Sequence, residues 1–257
     1  MGRVYGRDRV VMARLERGMT IGCLTVLVVL IVVPGTVLGA LWYWSWHIDK
    51  VNAEHRQQAL LALDDQLRRT KNETLRALNG EDSADPDALT AVIHQYTGAP
   101  LISYDASRHV FRARVVKRVE YETRTLSGIG RDVIDRCLAY TYARAEGHGW
   151  TSTTSVLTYD ACGPSAAIGS GARMAGRRVA ALEASELNRA GVRRALAPYR
   201  RFLTVSAVTR SGSTVRMSIV VSDETTRQCY RITRDGSQVL SVPAQTCQAR
   251  NSERNDL

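Results

Sequence analysis

Cysteine is the residue type in this chain whose spacing has the clearest chemical meaning. Four of the five cysteines lie in its second half, and one opens and one follows each of two hairpin-like segments. These spacings are too wide for C-x-x-C redox chemistry, and in an oxidising compartment such cysteines form structural disulfides. Four cysteines allow three pairings. The repeated pattern favours Cys137–Cys162 and Cys229–Cys247, because each bond then closes one hairpin.

The other residue types that catalyse reactions are scattered. The five histidines show no i,i+3 or i,i+4 pair that could hold a metal: His47, His55, His94, His109 and His148. There is no nucleophile elbow, zinc-protease motif or P-loop, and Gly169-Ser170-Gly171 lacks the dinucleotide-binding spacing. Asp132 and Asp135 are expected at the solvated start of a helix. We therefore predict no catalytic, cofactor-binding or metal site.

Arginine carries the remaining chemical signal. The 35 basic residues exceed the 25 acidic ones, and eight arginines crowd positions 173–201. A cationic helical face attracts anionic polymers or lipid headgroups. The predicted anion-binding residues are Arg177, Arg178, Arg189, Arg193, Arg194, Arg200 and Arg201. The competing interpretation is an arginine-rich composition on a solvated face. Few aromatic residues accompany these arginines, which argues against specific nucleic-acid binding.

An uncharged segment ahead of these residues predicts a membrane anchor. No formal charge occurs between Arg17 and Asp49, and about 20 apolar residues suffice to cross a bilayer as a helix. Pro34-Gly35 lies near the middle, where a membrane helix more often kinks than breaks. The segment ends with three tryptophans, a residue type that is enriched at the membrane interface: Trp42, Trp44 and Trp46.

The flanks of the anchor predict its orientation. The tail of residues 1–17 carries five arginines against two acidic residues, so the positive-inside rule places it in the cytoplasm and everything after the anchor outside. The alternative is a signal peptide cleaved near Val37-Leu38-Gly39. Only three of the basic residues are lysine, which is typical of a GC-rich genome such as an actinobacterial one.

Residues 50–79 read as a helix that ends at Asn79-Gly80. A broken apolar stripe runs along it: Leu60, Leu63, Leu67, Leu75 and Leu78. We interpret the segment as a juxtamembrane helix that packs on its own domain. The alternative is a weak dimerising stalk, although the stripe is shorter than a coiled coil needs.

The rest of the chain repeats one order of elements. Segments 87–162 and 188–247 each begin with a helical pattern that ends near a proline, followed by two hairpins. Turn residues mark each hairpin: Asp105-Ala106-Ser107, Gly147-His148-Gly149, Ser211-Gly212 and Asp235-Gly236. This predicts two α+β lobes of a helix and about four antiparallel strands each. Chance similarity of ordinary hairpins is the alternative.

Alternation within the strands predicts which face meets the core. The inward sets are Phe111, Ala113, Val115, Val119 and Tyr121, and then Val215, Met217, Ile219 and Val221. Arg112, Arg114 and Arg118 take the opposite, solvated face. Lys117 breaks the inward pattern and is expected at a strand end or bulge. Between the lobes, the Gly, Ser and Ala content of residues 163–178 predicts a linker, followed by a helix near 176–188.

The resulting domain map has seven parts: cytoplasmic tail 1–17, transmembrane helix 18–46, juxtamembrane helix 47–80, lobe 87–162, linker and helix 163–187, lobe 188–248 and disordered tail 249–257. This layout resembles single-pass envelope proteins with tandem cystatin-like or nuclear-transport-factor-like lobes. Some of these are assembly factors of conjugation and type IV secretion machines, and others are inhibitor or regulator modules of the PepSY type.

These features predict a non-enzymatic interaction or scaffold module tethered to a bacterial cell membrane and facing outward. The expected partners are the lipid bilayer, a protein of the envelope and an anionic polymer, and the expected cofactor is none. The alternative is a wall-modifying or hydrolytic enzyme whose site forms between the lobes, near His94 or His148.

Overall fold

The computed structural model describes residues 7–81, 83–145 and 149–247 of the chain. The chain is divided into two compact units. The first contains the chain up to Gln58 together with Tyr121–Asp132, and the second contains the remainder. The class is α+β, as predicted: a long apolar helix precedes two four-stranded antiparallel sheets with their helices.

Helix α1 (Arg7–Gly80) continues through Pro34 without a break. The Thr36 hydroxyl donates to the carbonyls of Val32 (3.0 Å) and Val33 (2.9 Å), a local device that membrane helices use around proline. The part after Val26 includes a stretch long and apolar enough to cross a membrane, and none of that stretch is buried in the protein. This fits a single-pass transmembrane segment, and the helix ends at the predicted Asn79-Gly80.

The first sheet has the order β1-β2-β3-β4. Its strands are β1 (Leu101–Asp105), β2 (Val110–Thr125), β3 (Gly128–Ala145) and β4 (Gly149–Leu157). Helix α2 (Pro86–Thr97) precedes it, with Asp85 as the N-cap and Gly98 at a positive φ of 67° as the C-cap. Of the turn predicted at Gly147-His148-Gly149, the first two residues lie outside the described residues.

The first core forms between α1, α2 and this sheet. The predicted inward residues Phe111, Ala113 and Val115 are buried with Ile93, whereas Val119 and Tyr121 of the predicted set are only half-buried. The α1 leucine stripe joins them: Leu63 and Leu78 are buried, and Leu67 and Leu75 pack partly against the core. These contacts agree with a juxtamembrane helix that packs on its own domain, whereas dimerisation through the stripe stays a prediction.

The helix expected around Asp132 and Asp135 is wrong, because both residues lie within strand β3. The two strands of this long hairpin are cross-linked by side chains. The Tyr121 hydroxyl donates to Asp132 (2.8 Å), and Arg118 makes a bidentate ion pair with Asp135 at 2.9 Å. Cross-strand polar pairs of this kind stabilise a hairpin. The two strands therefore continue to the turn at Leu126-Ser127.

Lys117 does not lie at a strand end, one of the two places predicted for it, and the alternative of a bulge stays a prediction. Lys117 lies inside β2, and its ammonium donates to the Thr97 carbonyl (2.9 Å) at the end of α2. A cation suits the negative end of a helix. Burial lowers the pKa of this ammonium, so the carbonyl contact compensates a partly desolvated charge.

The second sheet has the order β5-β6-β7-β8. Its strands are β5 (Leu203–Ser211), β6 (Thr214–Ser222), β7 (Arg227–Asp235) and β8 (Gln238–Ala244). The turns fall at the predicted Ser211-Gly212 and Asp235-Gly236, where both glycines have positive φ. The predicted inward residues Val215, Met217, Ile219 and Val221 are all buried in the second core.

The linker predicted at 163–178 is wrong, because helix α3 (Gly163–Ala180) occupies this segment. The small residues allow close packing. A β-carbon at Gly169 would lie 2.9 Å from Pro100 Cβ, and one at Gly171 would lie 2.6 Å from Val221 Cγ1. The helix predicted near 176–188 is replaced by the end of α3 and a short turn, and α4 (Arg189–Leu196) follows.

The four cysteines come together in the two predicted pairs. Cys137 joins Cys162 with a Cα–Cα separation of 5.7 Å, and Cys229 joins Cys247 with a separation of 5.4 Å. The first bond ties strand β3 to the start of α3, and the second ties β7 to the end of the second sheet. Paired cysteines of this kind indicate an oxidising, extracytoplasmic environment.

Candidate functional site: an arginine-lined cleft between the two sheets

A cleft of about 360 Å³ lies where the edge of the first sheet meets the end of the second. Strands β1 and β2 form one wall, and β7 with the end of β8 forms the other. The described residues that line it include three arginines and no acidic residue: Arg112, Arg114 and Arg227. We call this feature the arginine cleft.

Two buried or half-buried glutamines build the base of the cleft. Gln228 Oε1 accepts from the Ile102 N–H (3.0 Å), and Gln245 Nε2 donates to the Ile102 carbonyl (2.9 Å). Gln228 Nε2 also donates to the Ala244 carbonyl (2.7 Å). Because β1 is an edge strand, these amides satisfy backbone groups that would otherwise be unpaired. They hold the two sheets in one arrangement.

Asp87 fastens the other side of this junction. Its carboxylate accepts from the Gln245 N–H (2.7 Å), the Thr246 N–H (3.2 Å) and the Thr246 hydroxyl (2.9 Å), and pairs with Arg231 at 2.9 Å. Burial raises the pKa of Asp87, but these hydrogen bonds and the Arg231 charge outweigh it and lower the pKa below its usual 3.8. The Tyr230 hydroxyl adds a bond to the Pro100 carbonyl (2.5 Å).

The strand register places the cleft arginines together. Arg114 lies opposite Leu101 and Arg112 lies opposite Ser103 in the β1–β2 pairing, so both side chains project from the solvated face predicted by alternation. Arg227, the first residue of β7, faces them from the second sheet. All three are exposed. Among the ion pairs of the described residues, none involves these three arginines.

The arginines predicted to bind anions lie elsewhere. All seven are exposed, on α3, on α4 and in the turn that follows it. Arg178 is the one with a described side-chain contact: its guanidinium lies 5.6 Å from the centre of the Tyr199 ring and donates to the Tyr199 hydroxyl (3.0 Å). None of the seven is among the described residues that line the cleft, and their binding role stays a prediction.

Arg234, which sequence reasoning passed over, has a structural role. Its guanidinium donates to the carbonyls of Val179 (2.7 Å) and Leu182 (2.6 Å) at the end of α3, where a cation satisfies orphan carbonyls.

Two of the histidines contact backbone carbonyls and a third contacts a tyrosine hydroxyl. His94 Nδ1 lies 2.9 Å from the Ala99 carbonyl, and His55 Nδ1 lies 2.9 Å from the Glu122 carbonyl. His109 contacts the Tyr104 hydroxyl (3.0 Å) in the β1–β2 turn, and His148 lies outside the described residues. Within the described part of the chain, no group of three His, Cys, Asp or Glu side chains could hold a metal ion.

Comparison of the chain with protein-family models, curated proteins and solved structures finds no match. The assignment of the arginine cleft as the candidate site therefore depends on its geometry alone.

Proposed function

We propose that this protein is a single-pass membrane protein whose second unit is a non-enzymatic binding module on the outer side of the membrane. The observation that supports this most strongly is the arginine cleft, a concave surface whose described lining has three exposed guanidinium groups and no carboxylate. The orientation proposed for α1, with the N-terminus in the cytoplasm, rests on the arginines of the tail. The disulfides support the same side for the second unit.

We propose an acidic peptide segment of a partner protein as the occupant of the cleft. Guanidinium groups bind carboxylates through paired N–H donors, and the hydroxyls of Ser103 and Thr226 add polar contacts. Leu101, Tyr104 and Ala244 add apolar surface to the lining. Peptide side chains can use such surface, whereas a phosphate polymer cannot, which favours the peptide.

Binding is favoured over the hydrolytic alternative by the chemistry of the lining. Ser103 and Thr226 are its hydroxyl-bearing residues of the nucleophile type, and no histidine or carboxylate lies with them among the described lining residues to serve as a base. Cys229 is held in a disulfide. A binding role needs only the charge and shape that the cleft presents.

A peptide-binding measurement tests the cleft. We would place the full chain in lipid nanodiscs and follow the fluorescence anisotropy of a labelled oligoglutamate peptide. The triple variant Arg112→Gln, Arg114→Gln, Arg227→Gln removes the positive charge. Each exposed pair contributes about 0.2–1 kcal/mol, so we expect Kd to rise about tenfold.

The matched control is Arg189→Gln, Arg193→Gln, Arg194→Gln on α4, which removes the same charge from the arginine cluster predicted from sequence. Equal weakening by both triple variants would show that the cleft has no special role and that net charge alone attracts the peptide. Tighter binding of a polyphosphate chain than of oligoglutamate would replace the peptide by a phosphate polymer as the occupant.

We further propose that the two lobes act as a scaffold within a larger envelope complex, of the secretion or conjugation kind. The repeated order of a helix and a four-stranded antiparallel sheet supports tandem lobes of the cystatin-like or nuclear-transport-factor-like type. Crosslinking in intact membranes followed by purification of the chain tests this, and recovery of the chain without any protein partner would contradict it.

A further inference from the structure

The tip of the long β2–β3 hairpin is apolar and exposed. Leu126 and Ile129 have 71% and 72% of their surface accessible, although polar and small residues are usual in such turns. The turn itself is well ordered by its own contacts: the Thr125 hydroxyl lies 3.1 Å from the Ser127 hydroxyl and donates to the Gly128 carbonyl (3.1 Å). Two large aliphatic side chains are thus presented on a fixed turn. We call residues 121–132 the hairpin tip.

Helix α1 holds the hairpin tip by its backbone. The Asn52 side chain accepts from the Arg124 N–H (2.6 Å) and donates to the Arg124 carbonyl (2.9 Å). His55 Nδ1 lies 2.9 Å from the Glu122 carbonyl. Because Glu122 meets residue 55 and Arg124 meets residue 52, strand β2 runs toward the N-terminal end of α1. That end carries the apolar stretch and its tryptophans.

These contacts set the level of the turn along the helix. The two contacts show that two strand residues correspond to three helix residues, or about 4.5 Å along the helix axis. Leu126 lies two residues beyond Arg124, so it lies near the level of Asp49. That level is within one helical turn of Trp46, an exposed tryptophan of the belt expected at the membrane interface.

Positive charge flanks this level. Arg124 is exposed beside the turn, and the Lys50 ammonium lies 5.9 Å from the centre of the Trp46 ring. Basic side chains next to a membrane surface are attracted to anionic headgroups. Aliphatic and aromatic side chains below a basic layer are the arrangement that interfacial membrane segments use.

We propose that the hairpin tip inserts Leu126 and Ile129 into the headgroup region of the same membrane that α1 crosses. The partner is the lipid surface, with Arg124 and Lys50 facing its phosphates. The hairpin tip is then a second attachment beside the helix, which limits rotation of the protein about α1. This inference rests on the proposed membrane anchor and is independent of the arginine cleft.

A fluorescent label on the turn tests the proposal. In a Cys23→Ala background, Ser127→Cys would carry an environment-sensitive nitrobenzoxadiazole dye in the full chain, reconstituted with phosphatidylglycerol and phosphatidylcholine. Insertion of the turn should shift the emission of the dye to the blue, and lipids bearing a nitroxide near the headgroup end of the acyl chain should quench most of that emission. The matched control is Ser213→Cys, at the β5–β6 turn, where the same dye should stay water-exposed and unquenched.

Two further measurements separate insertion of the hairpin tip from insertion of α1. Leu126→Asn with Ile129→Asn should abolish quenching at position 127, whereas Val156→Asn, at an exposed apolar residue of β4, should leave it unchanged. Quenching of the native tryptophans of the anchor reports α1 separately. If the tryptophans are quenched and the dye at 127 behaves like the dye at 213, the hairpin proposal is overturned while the anchor stands. Shielding that depends on protein density and not on lipid nitroxides would assign the turn to a second copy of the chain and also overturn it.

Discussion

Replacement of Asp87 by alanine should weaken the junction between the two sheets, because this carboxylate accepts four hydrogen bonds there. Bonds to a charged acceptor contribute about 1.5–3 kcal/mol each. Thr246 is exposed and Arg231 is 41% exposed, so these donors can turn to water, whereas the Gln245 N–H is partly buried. We therefore expect Asp87→Ala to lower the free energy of unfolding by about 2–4 kcal/mol at pH 7, rather than by the sum of four bonds.

The stabilisation by the Asp87 carboxylate should also depend on pH. The pKa of Asp87 in the folded protein lies below its usual 3.8. The stabilisation is therefore complete above that value and is lost as the pH falls through the folded pKa. The difference in unfolding free energy between the wild type and Asp87→Ala should be largest near neutral pH and should shrink steadily below about pH 4.

Urea unfolding of the nanodisc-embedded chain, followed by far-UV circular dichroism at pH 7 and pH 3, measures this difference. Hydrogen exchange at Gln245 and Thr246 reports the junction locally. The control is Asp223→Ala, which removes a half-buried carboxylate whose described bond is to the neighbouring Glu224 N–H, and it should cost under about 1 kcal/mol. A cost for Asp87→Ala no larger than that of the control, or a difference that grows toward pH 3, would refute the role given to Asp87.

Three further predictions concern packing and covalent links. Gly171→Ala should lower stability by about 1–3 kcal/mol because the added β-carbon would press on the buried Val221. Gly163→Ala is the control and should be nearly neutral, because a β-carbon at this position would face open space. Equal thermal stability of the two variants would contradict the packing of α3. Arg234→Ala should cost about 2 kcal/mol through the α3 carbonyls it caps, and Arg210→Ala, whose described bond is to Gly212 in its own turn, should cost less in the same denaturation assay. Cys229→Ala with Cys247→Ala should lower stability by about 3 kcal/mol by the loop-closure model, and reduction of the wild type, which opens both disulfides, should lower it further.

The apolar patterns of the chain were enough to predict most of the fold. Uninterrupted hydropathy predicted the anchor, period-two alternation predicted the inward faces of β2 and β6, and glycine-containing turns predicted two of the hairpins. These features depend on local chemistry, which sequence displays directly. The disulfide pairing followed from the repeat. The failures have a common cause, because residues 163–178 and 126–135 take their structure from distant neighbours.

Tertiary contact overrides local preference in both segments. Glycines at 169 and 171 suggested a linker, but they serve to let α3 approach Pro100 and Val221. Polar residues in the second half of β2 hid the continuation of the hairpin, which is held by Asn52 of α1 and by cross-strand pairs. The arginine cleft was missed for a similar reason. Alternation placed Arg112 and Arg114 on an exposed face, but only the docking of the second sheet brings Arg227 opposite them.

The most direct test of the central claim is protease treatment of intact cells with thiols blocked, followed by mass spectrometry of the released peptides without reduction. We expect the medium to contain fragments linked through Cys137–Cys162 and Cys229–Cys247, because the second unit faces outward and its cysteines are paired. Release of these fragments only after lysis, or recovery of the four cysteines as blocked free thiols, would contradict an outward-facing, disulfide-linked binding module.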